Sequence, residues 1–205
     1  MRTNKHLWKF LFSALLIYII LALPVVAIEK TYTTFFSKTS SFFLGSFFET
    51  GFARYLTNSD PLTVHVQVGN KANKTTENKV RVALTDVNTR IRGYLPTILF
   101  VALMLASPIP WKPKLLKVFF GYFLLTAFVL FKQWIHILFV IDQNPFLSLY
   151  TFNSFEKKVV EFGYTNIITT VGPSLLVAVL IWVLLIYRRK EMSLLLNPNK
   201  TTDKA

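Results

Sequence analysis

The run from Leu115 to Ile141 sets the strongest limit on what this chain can fold into. Past the juxtamembrane Lys117, its 27 residues are interrupted by strongly polar groups only at Lys132, Gln133 and His136. At about 1.5 Å per residue, such a helix more than covers a hydrocarbon core of roughly 30 Å. Three further apolar blocks accompany it, at residues 10–28, 94–110 and 167–187. Charged residues make up 16% of the chain, against about 25% for soluble domains. These features predict a mainly α membrane protein: four transmembrane helices with a small extracytoplasmic α+β segment, a Phe-rich helix plus a β-hairpin.

Orientation follows from lysine and arginine in short flanking segments, because translocating positive charge is disfavoured. Arg2, Lys5 and Lys9 precede the first block, and Lys112, Lys114 and Lys117 surround the turn between the second and third. Arg188, Arg189, Lys190, Lys200 and Lys204 follow the fourth. With four spans all three clusters fall on one side, which is therefore cytoplasmic. The expected layout is a cytoplasmic N-terminus at 1–9, spans at 10–28, 94–110, 115–141 and 167–187, a cytoplasmic turn at 111–114 and a tail at 188–205. Residues 29–92 and 142–166 then lie outside. An alternative for the start is a signal peptide cut after Ala27, but the apolar run exceeds the usual 7 to 15 residues, which favours an uncleaved anchor.

The net charge of +13 does not point to nucleic acid. Its cytoplasmic share is split into short juxtamembrane clusters without interleaved stacking aromatics, which suits anionic lipid headgroups instead. The chain has no cysteine, which excludes a thiol nucleophile, a Cys-ligated metal and any disulfide. Its three histidines are widely separated, so no metal site and no cofactor are expected.

The segment 29–92 divides in two. Residues 32–56 hold seven Phe among small polar residues, with Tyr32, Phe36, Phe43, Phe47 and Tyr55 at near-helical steps. They read as an interfacial amphipathic helix or as a helix whose Phe pack on the spans and the strands that follow. Leu62 to Val68 alternates strictly, and Val80, Val82 and Leu84 alternate again after a polar loop, giving a hairpin over 62–84. A lone hairpin is marginal in water. Its valines, Val64, Val66, Val80 and Val82, are therefore candidates for covering a neighbour or for edge pairing with a partner strand. The stretch 142–166 is expected to hold a short surface or re-entrant helix.

Four residues are candidates for lipid or partner contact. Lys132 and His136, four apart, share a helix face inside an apolar run, where ionisable groups are costly. They could bind an anionic headgroup or relay a proton, or simply mark the outer interface, with Lys132 snorkelling beside a belt Trp134. Arg90 and Arg92 precede the second span and suit either lipid anchoring or a phosphate or carboxylate clamp. His65 reads as a solvent-facing strand histidine, since no positioned serine or G-x-S-x-G accompanies it. Sequons at Asn73 and Asn199 are short patterns that recur by chance. No catalytic residue emerges, and Gly172-Pro173, Pro96 and Pro24 give only a faint suggestion of broken transporter helices.

Arg90-Ile-Arg-Gly-Tyr-Leu-Pro96, followed by Ala102-Leu-Met-Leu-Ala-Ser-Pro-Ile-Pro-Trp111 and closely spaced spans, resembles the small membrane proteins associated with exosortase systems, in particular the exosortase H-associated type. The resemblance implies a non-enzymatic accessory in a bacterial inner membrane with a periplasmic outer face. Its implied partners are a membrane cysteine transpeptidase or other envelope proteins, besides membrane lipids. A chain without cysteine could not itself be that transpeptidase. The competing reading is a lipid- or solute-handling component that uses Lys132, His136 and Arg90 or Arg92.

Overall fold

The computed structural model describes residues 5–57, 60–74 and 80–186, with the side chains of Lys5 and His6 left aside. Arg2, Lys79, the tail 188–205 with its five basic residues, and the Asn199 sequon lie outside the described residues. The chain is mostly helical with one small antiparallel sheet, and it divides into two compact units.

The first unit takes residues from Met1–Leu23, Leu95–Thr126 and Leu175–Ala205. Helix α1 (Lys5–Ala22) stops ahead of Pro24, which lacks a donor and disfavours helix in the residue before it. Helix α3 (Leu95–Ala106) has 12 residues, about 18 Å, and is shorter than the expected span at 94–110. The turn that follows is Ser107 to Pro110, whereas residues 111–114, expected as the turn, begin helix α4 (Trp111–Gln143). Phe10, Ala14, Phe100, Met104, Leu125, Ala178 and Ile181 form the core of this unit. Polar groups inside it are chained: Trp182 Nε1 donates to Ser107 Oγ at 3.0 Å, and that hydroxyl donates to the Leu103 carbonyl at 2.7 Å. Such pairing is what a lipid-immersed bundle demands. The buried Lys114 donates to the Leu105 carbonyl near the end of α3 and lies over the Trp111 ring.

Large apolar side chains face outward along α1 (Leu11, Phe12, Leu15, Ile19), the first part of α4 (Leu115, Phe119, Phe123) and α6 (Gly172–Ile186; Leu176, Leu180, Leu184). In water this surface would be a severe aggregation hazard, and in a bilayer it is the lipid face. Among the described residues α4 alone is long and apolar enough to cross a membrane by itself. Residues 7–22 with 26–44, and 154–168 with 172–186, qualify only as bent pairs, so there are up to three spans on this criterion.

The second unit takes Pro24–Tyr94 and Ala127–Ser174. The helix expected over 32–56 is instead α2 (Val26–Leu44), which ends at Gly45 and gives way to a strand, β1 (Gly51–Thr57). The turn between them puts Phe48 and Glu49 at φ 46° and 58°. A Cβ on Gly51 would lie 2.6 Å from the Phe47 carbonyl oxygen and 2.7 Å from the Phe47 ring, so only glycine fits where the strand begins. The hairpin is present as β2 (Thr63–Lys74) and β3 (Val80–Asn88), and the sheet order is β1-β2-β3, antiparallel throughout.

Register decides which side chains face the core. Tyr55 and Thr85 flank Val66, Ala53 and Ala83 flank Val68, and Val87 lies opposite Val64. One face of the sheet therefore carries Ala53, Tyr55, Val64, Val66, Val68, Ala83 and Val87, all buried. The same parity turns Val82 and Leu84 to the other face with Gln67 and His65, and Leu84 is 70% exposed. The two alternating runs of the hairpin thus present their apolar residues on opposite faces. The buried face packs with Phe36 of α2 and with Val129, Ile137, Val140 and Ile141 from the second half of α4. Each fully buried valine contributes roughly 1.5–3 kcal/mol.

After α4 a 3₁₀ turn (Pro145–Leu147) leads to α5 (Ser154–Gly163), the short surface helix expected within 142–166. Asn153 accepts hydrogen bonds from the amides of Phe155 and Glu156, and Glu156 accepts from the Asn153 amide, a complete capping box. A π-helical turn (Tyr164–Ile168) follows, so regular helix α6 starts at Gly172 instead of 167.

Candidate functional site

Helix α2 has its polarity reversed with respect to a soluble surface helix. Glu29, Thr33, Ser37 and Ser40 are buried along one stripe, while Val26, Ile28, Phe35, Phe42 and Phe43 are exposed. Every buried polar group of that stripe for which a bond is recorded is satisfied by the unit's own chain. Thr33 Oγ1 donates to the Pro61 carbonyl at 2.6 Å and pairs with Thr89 Oγ1 at 2.7 Å. Ser37 donates to the Tyr55 carbonyl at 2.7 Å, and Glu29 accepts from Arg90 Nη1 at 2.7 Å. Of the two expected clamp arginines, Arg90 is therefore engaged in an ion pair with a nearly sealed carboxylate.

The other three candidates converge with residues distant in sequence. Arg92, on the π-helical turn Arg90–Tyr94, donates from Nη1 to His136 Nδ1 at 2.9 Å, and it also hydrogen-bonds Tyr164. Because arginine has only donors, the Nδ1 of His136 must be bare. The neutral ring then carries its proton on Nε2, which donates to Thr85 Oγ1 at 3.2 Å. Lys132 Nζ donates to Ser174 Oγ at 2.6 Å. Lys132 is 0% exposed, Gln133 1% and His136 3%. Lys132 thus does not snorkel to a surface as expected for an interface marker; it is sealed inside the second unit.

No carboxylate joins this group among the described residues. The recorded ion pairs are Arg90 with Glu29, His65 with Asp86, and Lys157 with Asp142, and none reaches Arg92 or Lys132. Gln133 makes no hydrogen bond through either amide atom, and the Tyr55 hydroxyl, buried near Arg92, has no partner. Burial pushes the Tyr55 phenol well above its ordinary range, opposed by the positive charge of Arg92.

Lysine beside serine is a pairing that can activate a nucleophile. Here both side chains are 0% exposed, so no substrate carbonyl reaches Ser174, and the hydroxyl serves as acceptor for a buried ammonium. His65 and Asp86 hydrogen-bond across strands on the exposed face of the sheet, an ordinary surface pair. Among the described residues no cluster of His, Cys, Asp and Glu could hold a metal ion.

The four valines named for strand pairing separate by position. Val64 and Val66 lie in the central strand, hydrogen-bonded on both sides and fully buried, whereas Val80 and Val82 lie on the edge strand β3. Sequence reading found Lys132 and His136 because charge interrupts an apolar run. It did not connect Thr85, Tyr55, Tyr164 or Ser174 with them, since those are ordinary polar residues 28 to 81 positions away.

Helices with outward apolar faces, a helix α2 that buries its polar stripe and a sealed polar cluster are the features of a membrane protein without an exposed catalytic constellation among the described residues. Residues 4–189 match the family of exosortase H-associated membrane proteins, and the chain belongs to that family. It is a membrane protein associated with the exosortase system, by description an associated component and not the enzyme itself. No curated protein and no solved structure matches it.

Proposed function

We propose that this protein is a non-catalytic accessory in the bacterial inner membrane that assists an exosortase-type sorting and processing system through its extracytoplasmic unit. The observation that carries the reading is the family match across nearly the whole chain. The proposed topology has four spans, α1, α3, α4 and α6, with both termini cytoplasmic. Supporting it are the outward apolar faces of α1, α4 and α6 and the basic residues of Lys112, Lys114 and Lys117 at one end of α4. Helix α3 is short, and in this reading the π-helical turn ahead of it completes the crossing.

The partner surface in this proposal is the outer face and free edge of β3, with Val80, Val82 and Leu84. An exposed apolar strand edge is a template for another chain unless something covers it, and Leu84 stands out of the sheet at 70% exposure. The occupant is a component of the exosortase system: the membrane cysteine transpeptidase or one of its envelope substrates. The sealed state of Lys132 and His136 speaks against a transport path through them.

The test is affinity capture of the tagged protein from gently solubilised membranes of cells that carry the system, read by mass spectrometry. Wild type should retain an exosortase-system component, and Leu84→Glu with Val82→Glu should lose it while still inserting and purifying normally. A wild-type protein that emerges alone after cross-linking in intact cells would overturn the accessory reading.

A further inference from the structure

The second unit holds two surface cavities that share a wall. One, of about 330 Å³, is enclosed by the rings of Phe48, Trp134, Tyr150 and Phe152 with Leu138 and Val159. The other, of about 500 Å³, is lined by Asp142, Lys157 and the loop from Ser148 to Phe152. Tyr150 and Phe152 belong to both, so an apolar chamber adjoins a charged one. Ligand sites have volumes of roughly 300–1,000 Å³. The polar groups at the rim of the apolar chamber are already taken, because the Tyr150 hydroxyl donates to Glu156 at 2.9 Å. Phe48 stacks on Tyr150 with ring centroids 5.4 Å apart, from a backbone at φ 46° that a bulky residue rarely adopts. Strain held at a cavity wall points to a use for the ring it positions.

The order of polarity along α4 says what fits. Phe131 is the last large apolar side chain of this helix to face outward. Trp134, Leu138 and Asp142 follow it at steps of three or four, on the same helix face. From Phe131 to Asp142 is about 16 Å of helix. Along it that face passes from the lipid-facing ring through the apolar chamber to the charged one. A phospholipid has the same order, acyl chain first and charged head beyond. In the charged chamber Lys157 Nζ stands 3.5 Å from Asp142 Oδ1, wider than a charge-assisted hydrogen bond of about 2.7–2.9 Å. One acid and one base, loosely paired, complement a head that carries an ammonium beside its phosphate, and not a purely anionic one.

We propose that the two cavities bind one phosphatidylethanolamine-type lipid, its acyl chain in the aromatic chamber, its ammonium on Asp142 and its phosphate on Lys157. The entrance is the outer side of α5, where Phe155 and Val159 are exposed at the apolar chamber and Phe162 extends the strip by a further turn. The inference rests on α4 crossing the bilayer and goes beyond the accessory role, so it stands or falls separately from the capture experiment.

The test uses the full-length protein purified in maltoside detergent, with titration calorimetry, thermal melting and native mass spectrometry as readouts. The ligands are dioctanoyl phosphatidylethanolamine, dioctanoyl phosphatidylglycerol, dioctanoylglycerol, and glycerophosphoethanolamine, which is the head without the chains. Phosphatidylethanolamine should bind one to one, at least fivefold more tightly than each of the other three. Asp142→Asn should abolish its advantage over phosphatidylglycerol, and Lys157→Gln should weaken both phospholipids at least fivefold. Lys158→Gln, exposed on the same helix, should change neither by more than twofold. Val159→Trp, at a half-exposed site, should fill the aromatic chamber and weaken binding at least tenfold with an unchanged melting temperature. If that variant does not fold, Asp142→Asn and Lys157→Gln still decide. Native mass spectra of protein from gently solubilised membranes should show a single retained lipid of this class. Equal binding of any of the other three ligands, wild-type affinity in a folded Val159→Trp, unchanged binding in both polar variants, or a retained peptide in place of the lipid would overturn the proposal.

Discussion

Lys132, Gln133 and His136 occupy successive corners of one helix, yet each has a different fate. Lys132 and His136 were marked in the sequence by the cost of charge in an apolar run, and the structure gives both hydrogen-bond partners. Gln133 drew less notice and is the one left unbonded. Composition could not have ranked them, because satisfaction depends on Ser174 and Thr85, which lie 42 and 51 residues away from their partners. The residue with the tightest surroundings is an unremarkable one. A Cβ on Gly121 would lie 1.9 Å from Cζ of Phe100, whose ring is fully buried and has nowhere to retreat. Gly121→Ala should therefore force α3 and α4 apart and cost about 1–3 kcal/mol by overpacking. Thermal melting in detergent measures it, and adding Phe100→Leu should recover part of the loss. If Gly121→Ala melts with wild type, the helix contact is looser than described.

At the scale of elements, α2 shows how a hydrophobic pattern can be right in period and ambiguous in meaning. The sequence places seven Phe in a segment whose bulky residues Tyr32, Phe36, Phe43, Phe47 and Tyr55 recur at near-helical steps, which suits either core packing or lipid contact. The structure divides the four that fall in α2: Phe36 packs in the core, whereas Phe35, Phe42 and Phe43 face out. The stripe that packs on the sheet is mostly hydroxyl and carboxylate, because Thr89, Arg90 and the carbonyls of Tyr55 and Pro61 supply its partners. The expected location of the outer face is the membrane interface. Since the chain has no native cysteine, single nitroxide labels test this directly. A label at Phe43→Cys should show higher accessibility to oxygen than to a water-soluble nickel chelate in liposomes, and one at Arg81→Cys, an exposed residue near the start of β3, the reverse. Equal chelate accessibility at both sites would put α2 in water. Element ends were less legible: β1 was absorbed into the predicted helix because Gly45 and Gly51, the residues that separate them, are single positions in a Phe-rich run.

For the whole molecule, the positive-inside argument gives a prediction that the two units by themselves do not. In intact cells a membrane-impermeant maleimide should label Arg81→Cys at once and Lys112→Cys only after permeabilisation. The opposite pattern would invert the topology, and labelling of both in intact cells would remove the span between them. The sequence alone determined that this is a membrane protein, that α4 is long enough to cross, that the outer segment holds alternating strands, and which family it resembles. Those properties are local or additive: apolar length, charge near helix ends, and period-two patterning each act within a few residues. Tertiary structure decided the third strand, the face on which each valine lies, the reversal of α2 and the meeting of Arg92, Lys132 and His136. Each of these depends on strand register or on a hydrogen-bond partner tens of residues away, and a one-residue shift in register exchanges the two faces of a strand. Pairwise geometry of that kind is set only when the chain has closed on itself.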